Sequence, residues 1–145
     1  MKNNKGFTLV ELLVVIAIIG VLSAVAVVNL NSARDKGIDA ARKGNMSALP
    51  AAAEVYYDDN NLGHDGFCAD TAIDGVEASI AANNGTFVCH DATAAGASGW
   101  VAYVDLEEAA STYFCVDWTG AAEEITTLPV ATGCECDAAA AGTCS

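Results

Sequence analysis

Polar positions almost vanish from the first part of the chain. Phe7 to Leu30 is a run of 24 residues in which Glu11 is the only ionisable group. An α-helix rises about 1.5 Å per residue, so this run crosses a hydrocarbon core of about 30 Å with little to spare. A carboxylate within it costs on the order of 2.5–3.5 kcal/mol at the bilayer centre and less near the edge, so Glu11 has to be offset. Beyond Leu30 the pattern changes from apolar all round to apolar on one face. Ile38, Ala41, Ala48, Leu49, Ala52, Val55 and Tyr56 recur near helical spacing, with Arg42, Lys43, Glu54 and Asp58 off that stripe. The two halves predict one helix of about 50 residues, ended by the turn formers from Tyr57 to Gly66. Gly20, Gly37 and Gly44 are points of loosening, and Pro50 removes a backbone hydrogen bond and bends the helix.

The second half reads differently. Ile73, Val76 and Ile80 place a short helix over Thr71–Ala82, stopped by Asn83-Asn84-Gly85. Thr86–His90, Trp100–Val104 and Thr112–Trp118 are β-branched and aromatic runs, and Thr119-Gly120 turns into a further segment, Glu123–Val130, whose Pro129 favours a sheet edge. The expected fold is α+β: a long N-terminal helix whose Ala48–Tyr56 side carries a three- or four-stranded antiparallel meander. From Thr132 onward the chain reads as an irregular tail.

Charge divides the chain sharply. The net charge is −13, and from Gly44 to Ser145 there are 16 acidic residues and no Lys or Arg. Such a field repels nucleic-acid phosphates and anionic membranes, so direct nucleic-acid binding is not expected. No phosphate-binding glycine loop, nucleophile elbow or zincin motif is present, so neither an enzyme nor a cofactor is expected. The charges alone orient the helix awkwardly. Lys2 and Lys5 precede it, while Arg34, Lys36, Arg42 and Lys43 follow, against the rule that basic flanks stay in the cytoplasm.

The cysteines argue the other way. All six, Cys68, Cys89, Cys115, Cys134, Cys136 and Cys144, lie after the apolar run. An even count on one side of a span reads as an oxidised framework, which places the head outside the cytoplasm. Six cysteines allow about 15 pairings. The pairings expected are Cys68–Cys89 across the connecting loop, Cys136–Cys144 across the tail and Cys115–Cys134 by elimination, with Cys134 and Cys136 exchangeable. A zinc site from Cys134, Cys136, Cys144 and His90, and a calcium loop at Asp59, Asn61, Gly63 and Asp65, match no complete metal pattern, so no metal is expected.

The opening has three readings. It is a signal anchor, or a secretory signal with a small-residue site at Ala24-Val25-Ala26, or a third kind of segment carried by Lys5-Gly6 and then Phe7-Thr8-Leu9-Val10-Glu11-Leu12-Leu13. This third pattern resembles the class III signal of type IV prepilins. The resemblance implies cleavage between Gly6 and Phe7 by a prepilin peptidase, N-methylation of Phe7, and a role for Glu11 in registering one subunit against the next. Many family members carry proline at the position of Val28. The resemblance implies a leader at 1–6, a membrane and fibre helix at 7–30, its amphipathic continuation at 31–59 and a disulfide-rich acidic head at 60–145. The implied function is the structural subunit of a type IV pilus-like filament, a homo-oligomer built by pilus assembly machinery. Such a subunit starts in the prokaryotic inner membrane with its head outside and ends in a cell-surface fibre. The alternatives are a pseudopilin of a type II secretion or DNA-uptake system and a membrane-anchored binding module. The basic collar Arg34–Lys43 is expected to meet the acidic head of a neighbour.

Overall fold

The computed structural model describes residues 6–91, 99–129 and 135–136. It divides into two compact units, Met1–Asp35 and Lys36–Ser145.

In the first unit the chain enters helix α1 (Leu9–Met46) within three residues of Gly6. Every side chain from Gly6 to Arg34 is exposed. The most apolar window of this helix has a mean hydropathy of 2.8, long and apolar enough to cross a membrane.

The second unit begins with the last turns of α1. The long helix expected from the sequence runs from Leu9 to Asp59 and is interrupted next to Pro50: α1 stops at Met46, Ser47-Ala48 make a turn, and α2 (Leu49–Asp59) restarts with Pro50 in its first turn. Pro50 has no N–H to give the Met46 carbonyl. The Ala48 N–H therefore closes a tighter turn onto Asn45 O at 3.2 Å, and the Ser47 hydroxyl donates to Lys43 O at 2.7 Å. The expected stripe is met in part: Leu49 is buried and Ala52 and Tyr56 pack against the core, but Ala41, Ala48 and Val55 face solvent. The fully buried positions are Asp39, Arg42, Met46, Leu49 and Ala53, a 3-4-3-4 spacing that includes two charges.

After a 3₁₀ turn at Phe67–Ala69, α3 (Thr71–Ala81) is capped by Asp70, whose carboxylate accepts from Ala72 N at 2.8 Å. Strands β1 (Phe87–Asp91), β2 (Trp100–Asp105), β3 (Tyr113–Asp117) and β4 (Ala122–Ile125) form an antiparallel sheet in sequence order. Alternation assigns the faces. Trp100, Ala102, Val104, Phe114 and Val116 join Met46, Leu49, Ala53, Phe67, Ile73 and Ile80 in the main core. Phe67 links its two sides, with ring centroids 5.6 Å from Tyr56 and 5.1 Å from Trp100. On the opposite face Val101, Cys115 and Cys136 form a smaller cluster.

Two disulfides are described, Cys68–Cys89 and Cys115–Cys136, each closing a separation of 21 residues. The second corrects the expected Cys136–Cys144 and Cys115–Cys134 bonds in favour of the arrangement with Cys134 and Cys136 exchanged. Asp117 gives the reason. Only 2% exposed, it accepts from Cys136 N at 2.8 Å through Oδ2, which brings Cys136 beneath the sheet next to Cys115. Its Oδ1 holds the β3–β4 turn through the Thr119 and Ala121 N–H groups. Cys134 and Cys144 lie outside the described residues.

Candidate functional site

The N-terminal site is built by one turn of helix. Thr8 is the N-cap of α1 and Glu11 is its third residue. Glu11 Oε2 accepts the Thr8 N–H at 2.8 Å and the Thr8 hydroxyl at 2.7 Å, while Thr8 Oγ1 accepts the Glu11 N–H at 3.3 Å. This is a capping box, two side chains reciprocally satisfying the free N–H groups at a helix start. Its signature in the sequence is Thr-x-x-Glu before an apolar run. The bond places the carboxylate at the positive end of the helix, where negative charge is favoured. Oε1 makes no hydrogen bond among the described residues, so one oxygen of Glu11 caps its own helix and the other is available. Gly6 and Phe7 precede the helix, and Phe7 is 75% exposed.

A second arrangement fastens the end of α1 to the sheet. Asp39 is 4% exposed, and its carboxylate accepts from Glu107 N at 2.7 Å and Glu108 N at 3.0 Å. Arg42, one turn on and 1% exposed, donates to Asp105 O at 2.8 Å, Asn83 O at 2.9 Å and Glu107 Oε1 at 3.0 Å. The pair thus binds the β2–β3 loop and the end of α3. The fork of a guanidinium suits three acceptors in different directions, which an ammonium does not. Gly85 passes so close that a Cβ there would lie 2.8 Å from Arg42 Nε and 2.7 Å from an Ile80 methyl.

These contacts narrow the expectation for the basic collar. Lys36 pairs with Glu108 at 3.3 Å, Arg42 with Glu107 and Lys43 with Glu124, all within one chain. Among the described residues Arg34 is the one basic side chain with no ion pair.

A third feature is a cavity of about 240 Å³ lined by Glu54, Tyr57, His64 and Trp118. His64 is 4% exposed, its ring lies 5.0 Å from that of Tyr57, and neither ring nitrogen has a hydrogen-bond partner. Burial holds its pKa below the ordinary histidine value, with Glu54 pulling weakly the other way. His90 sits on β1 opposite Val101, its ring 6.4 Å from that of Tyr103. Among the described residues no group of three or more His, Cys, Asp or Glu is placed to hold a metal ion.

Residues 1–27 match the family model of the prokaryotic N-terminal methylation motif. The chain carries a type IV pilin-like N-terminus. This pilin-like segment extends the likeness beyond the motif. It is 46% identical over 61 residues to the type IV wide pilus major component of Thermus thermophilus, covering 42% of this chain and 47% of that one. Over 59 residues it is 36% identical to the type IV major pilin of Myxococcus xanthus, covering 41% of this chain and 27% of that one. A type II secretion system core protein G of Pseudomonas aeruginosa is 37% identical over 59 residues, covering 41% of this chain and 42% of its own length. The chain thus spans less than half the length of these relatives. No solved structure matches the chain.

Proposed function

We propose that this chain is the structural subunit of a type IV pilus-like filament. The carrying observation is the capped, exposed apolar helix that begins within the residues matching the N-terminal methylation motif. Its residues from Gly6 to Arg34 are exposed among the described residues, so the helix takes either lipid or other copies of itself as solvent. A prepilin peptidase cleaves Gly6–Phe7, and Phe7 is methylated and becomes the new N-terminus. The free Glu11 oxygen then receives the Phe7 amine of a neighbour while the other oxygen keeps the cap. The head lies outside the cytoplasm, where its disulfides persist, and its role is structural rather than enzymatic. Head-to-tail packing of identical copies does not close on itself, which is the geometry of a filament.

The likeness to a secretion-system core protein supports a second reading, a pseudopilin that builds a short periplasmic fibre. Shearing cells, collecting fibres and sequencing the N-terminus tests both. Long fibres composed of this chain beginning at N-methylated Phe7 fit the first reading. Processed chain that stays with the cell and forms no surface fibre fits the second. A mature chain beginning at Val27 or Met1 refutes both.

A further inference from the structure

We infer that the pocket formed by Glu54, Tyr57, His64 and Trp118 receives the guanidinium of Arg34 from a second copy of the chain. The inference rests on the filament reading and names one contact within it. The pocket's chemistry selects a planar cation. Glu54 supplies an exposed carboxylate with no ion pair among the described residues. Tyr57 and the 41% exposed Trp118 supply aromatic faces, on which a guanidinium stacks. His64 supplies an independent observation. It is a buried imidazole with both nitrogens unpartnered among the described residues, and burial lowers its pKa, which favours the neutral ring, one nitrogen of which accepts an N–H. A buried polar ring left unsatisfied in the single chain is what a site completed by a partner contains.

The occupant follows from charge. No Lys or Arg occurs after Lys43. Lys36, Arg42 and Lys43 are held by Glu108, Glu107 and Glu124 of their own head. Lys2 and Lys5 precede the proposed cleavage site. Arg34, exposed and unpaired on α1, is the cation that remains for a neighbour's acidic head.

The test uses full-length protein assembled in cells. Arg34→Glu and Glu54→Arg each lower the yield of sheared fibre at least about tenfold, the equivalent of about 1.4 kcal/mol per contact. The double exchange restores it to within about twofold. A photo-reactive phenylalanine analogue at position 118, in fibres mixed from isotopically light and heavy chains, cross-links to the peptide bearing residue 34 of another copy. Arg34→Lys keeps the charge but not the planar fork and gives an intermediate yield. Wild-type chains that make no fibre remove the filament reading and this contact with it. Normal fibres from Arg34→Glu, or a cross-link that maps elsewhere, overturn the contact alone. Quenching of Trp118 fluorescence by free L-arginine, in chains whose fibres ignore Arg34→Glu, makes the pocket a small-cation site and also overturns it.

Discussion

Replacing Arg42 by methionine isolates the buried anchor. Methionine keeps most of the aliphatic volume and removes the three donors. Hydrogen bonds from a charged donor are worth about 1.5–3 kcal/mol each, but part of that is recovered from water, since the Glu107 acceptor side chain is 41% exposed and the Asp105 carboxylate, an ion-pair partner at 3.7 Å, is 35% exposed. Arg42 Nε is already buried without a partner, a standing cost that the substitution relieves. Breaking a buried pair by removing one member costs about 3–5 kcal/mol, and these two discounts place Arg42→Met near about 3 kcal/mol. For a head of this size that corresponds to a fall in Tm of about 12 °C. Near-ultraviolet circular dichroism of the full chain in detergent reads the transition through Trp100, which is 1% exposed and packed against Phe67. Arg42→Lys gives an intermediate loss. Arg42 and Asp39 hold the same loop, so Asp39→Asn combined with Arg42→Met loses less than the sum of the two. A Tm for Arg42→Met within about 3 °C of wild type, or additive losses, refutes the anchor.

Gly85→Ala drives a methyl into Arg42 and Ile80, and overpacking of this kind costs about 1–3 kcal/mol; denaturant unfolding with an unchanged m-value checks it. Because the folded pKa of His64 is depressed, its unfolded state binds more protons just below the ordinary histidine value of about 6.5. Stability is therefore full above that pH and is lost as pH falls towards the folded value, and His64→Phe flattens the decline of Tm between about pH 7 and 5. Glu11→Ala leaves leader cleavage intact and abolishes fibres. Glu11→Gln keeps an oxygen for the Thr8 cap yet also fails to assemble, whereas normal fibres from Glu11→Gln, counted by electron microscopy, reduce Glu11 to a cap.

What the sequence made legible follows from which signals are local. Strands over residues 87–91, 100–105 and 113–117, and a helix over 71–81, come directly from short runs of side chains that favour those states. The buried stripe did so in α2, where Leu49, Ala52 and Tyr56 meet the core, but not in α1. Asp39 and Arg42 occupy its first two positions, and a reading that equates buried with apolar moves the stripe off them. Read back from Ala53 at intervals of four and three, Leu49 and Met46 lead to Arg42 and Asp39. What buries those charges is a loop about 65 residues away, and no local window contains it. The disulfide exchange has the same cause, because Cys136 is placed by the Asp117 carboxylate 19 residues earlier and not by the nearest cysteine. The capping box was legible. Thr8 stands three residues before Glu11, the one charge of the apolar run, and that spacing alone specifies the cap.

That dual use of Glu11 bears on how identical helices find their register in the proposed filament. Sixteen large apolar side chains between Phe7 and Leu30 are exposed. In water each would gain about 1.5–3 kcal/mol on burial. In a membrane that gain is absent, because lipid tails are as apolar as leucine, and helices associate through packing and polar contacts instead. Sliding one helix past another by a turn therefore exchanges one apolar neighbour for another at little cost. Glu11 is the exception under the proposed assembly, in which the oxygen not engaged by the Thr8 cap is partnered where a neighbour's amine stands opposite. The Asp39–Arg42 anchor and the Lys36 and Lys43 pairs neutralise the collar against its own head, so those charges carry little further register information. In the proposed filament two points are then left to set the register, the carboxylate at the start of the helix and the Arg34 guanidinium, which has no ion pair among the described residues. Sliding by one turn breaks both at once, and the apolar residues between them do not oppose it.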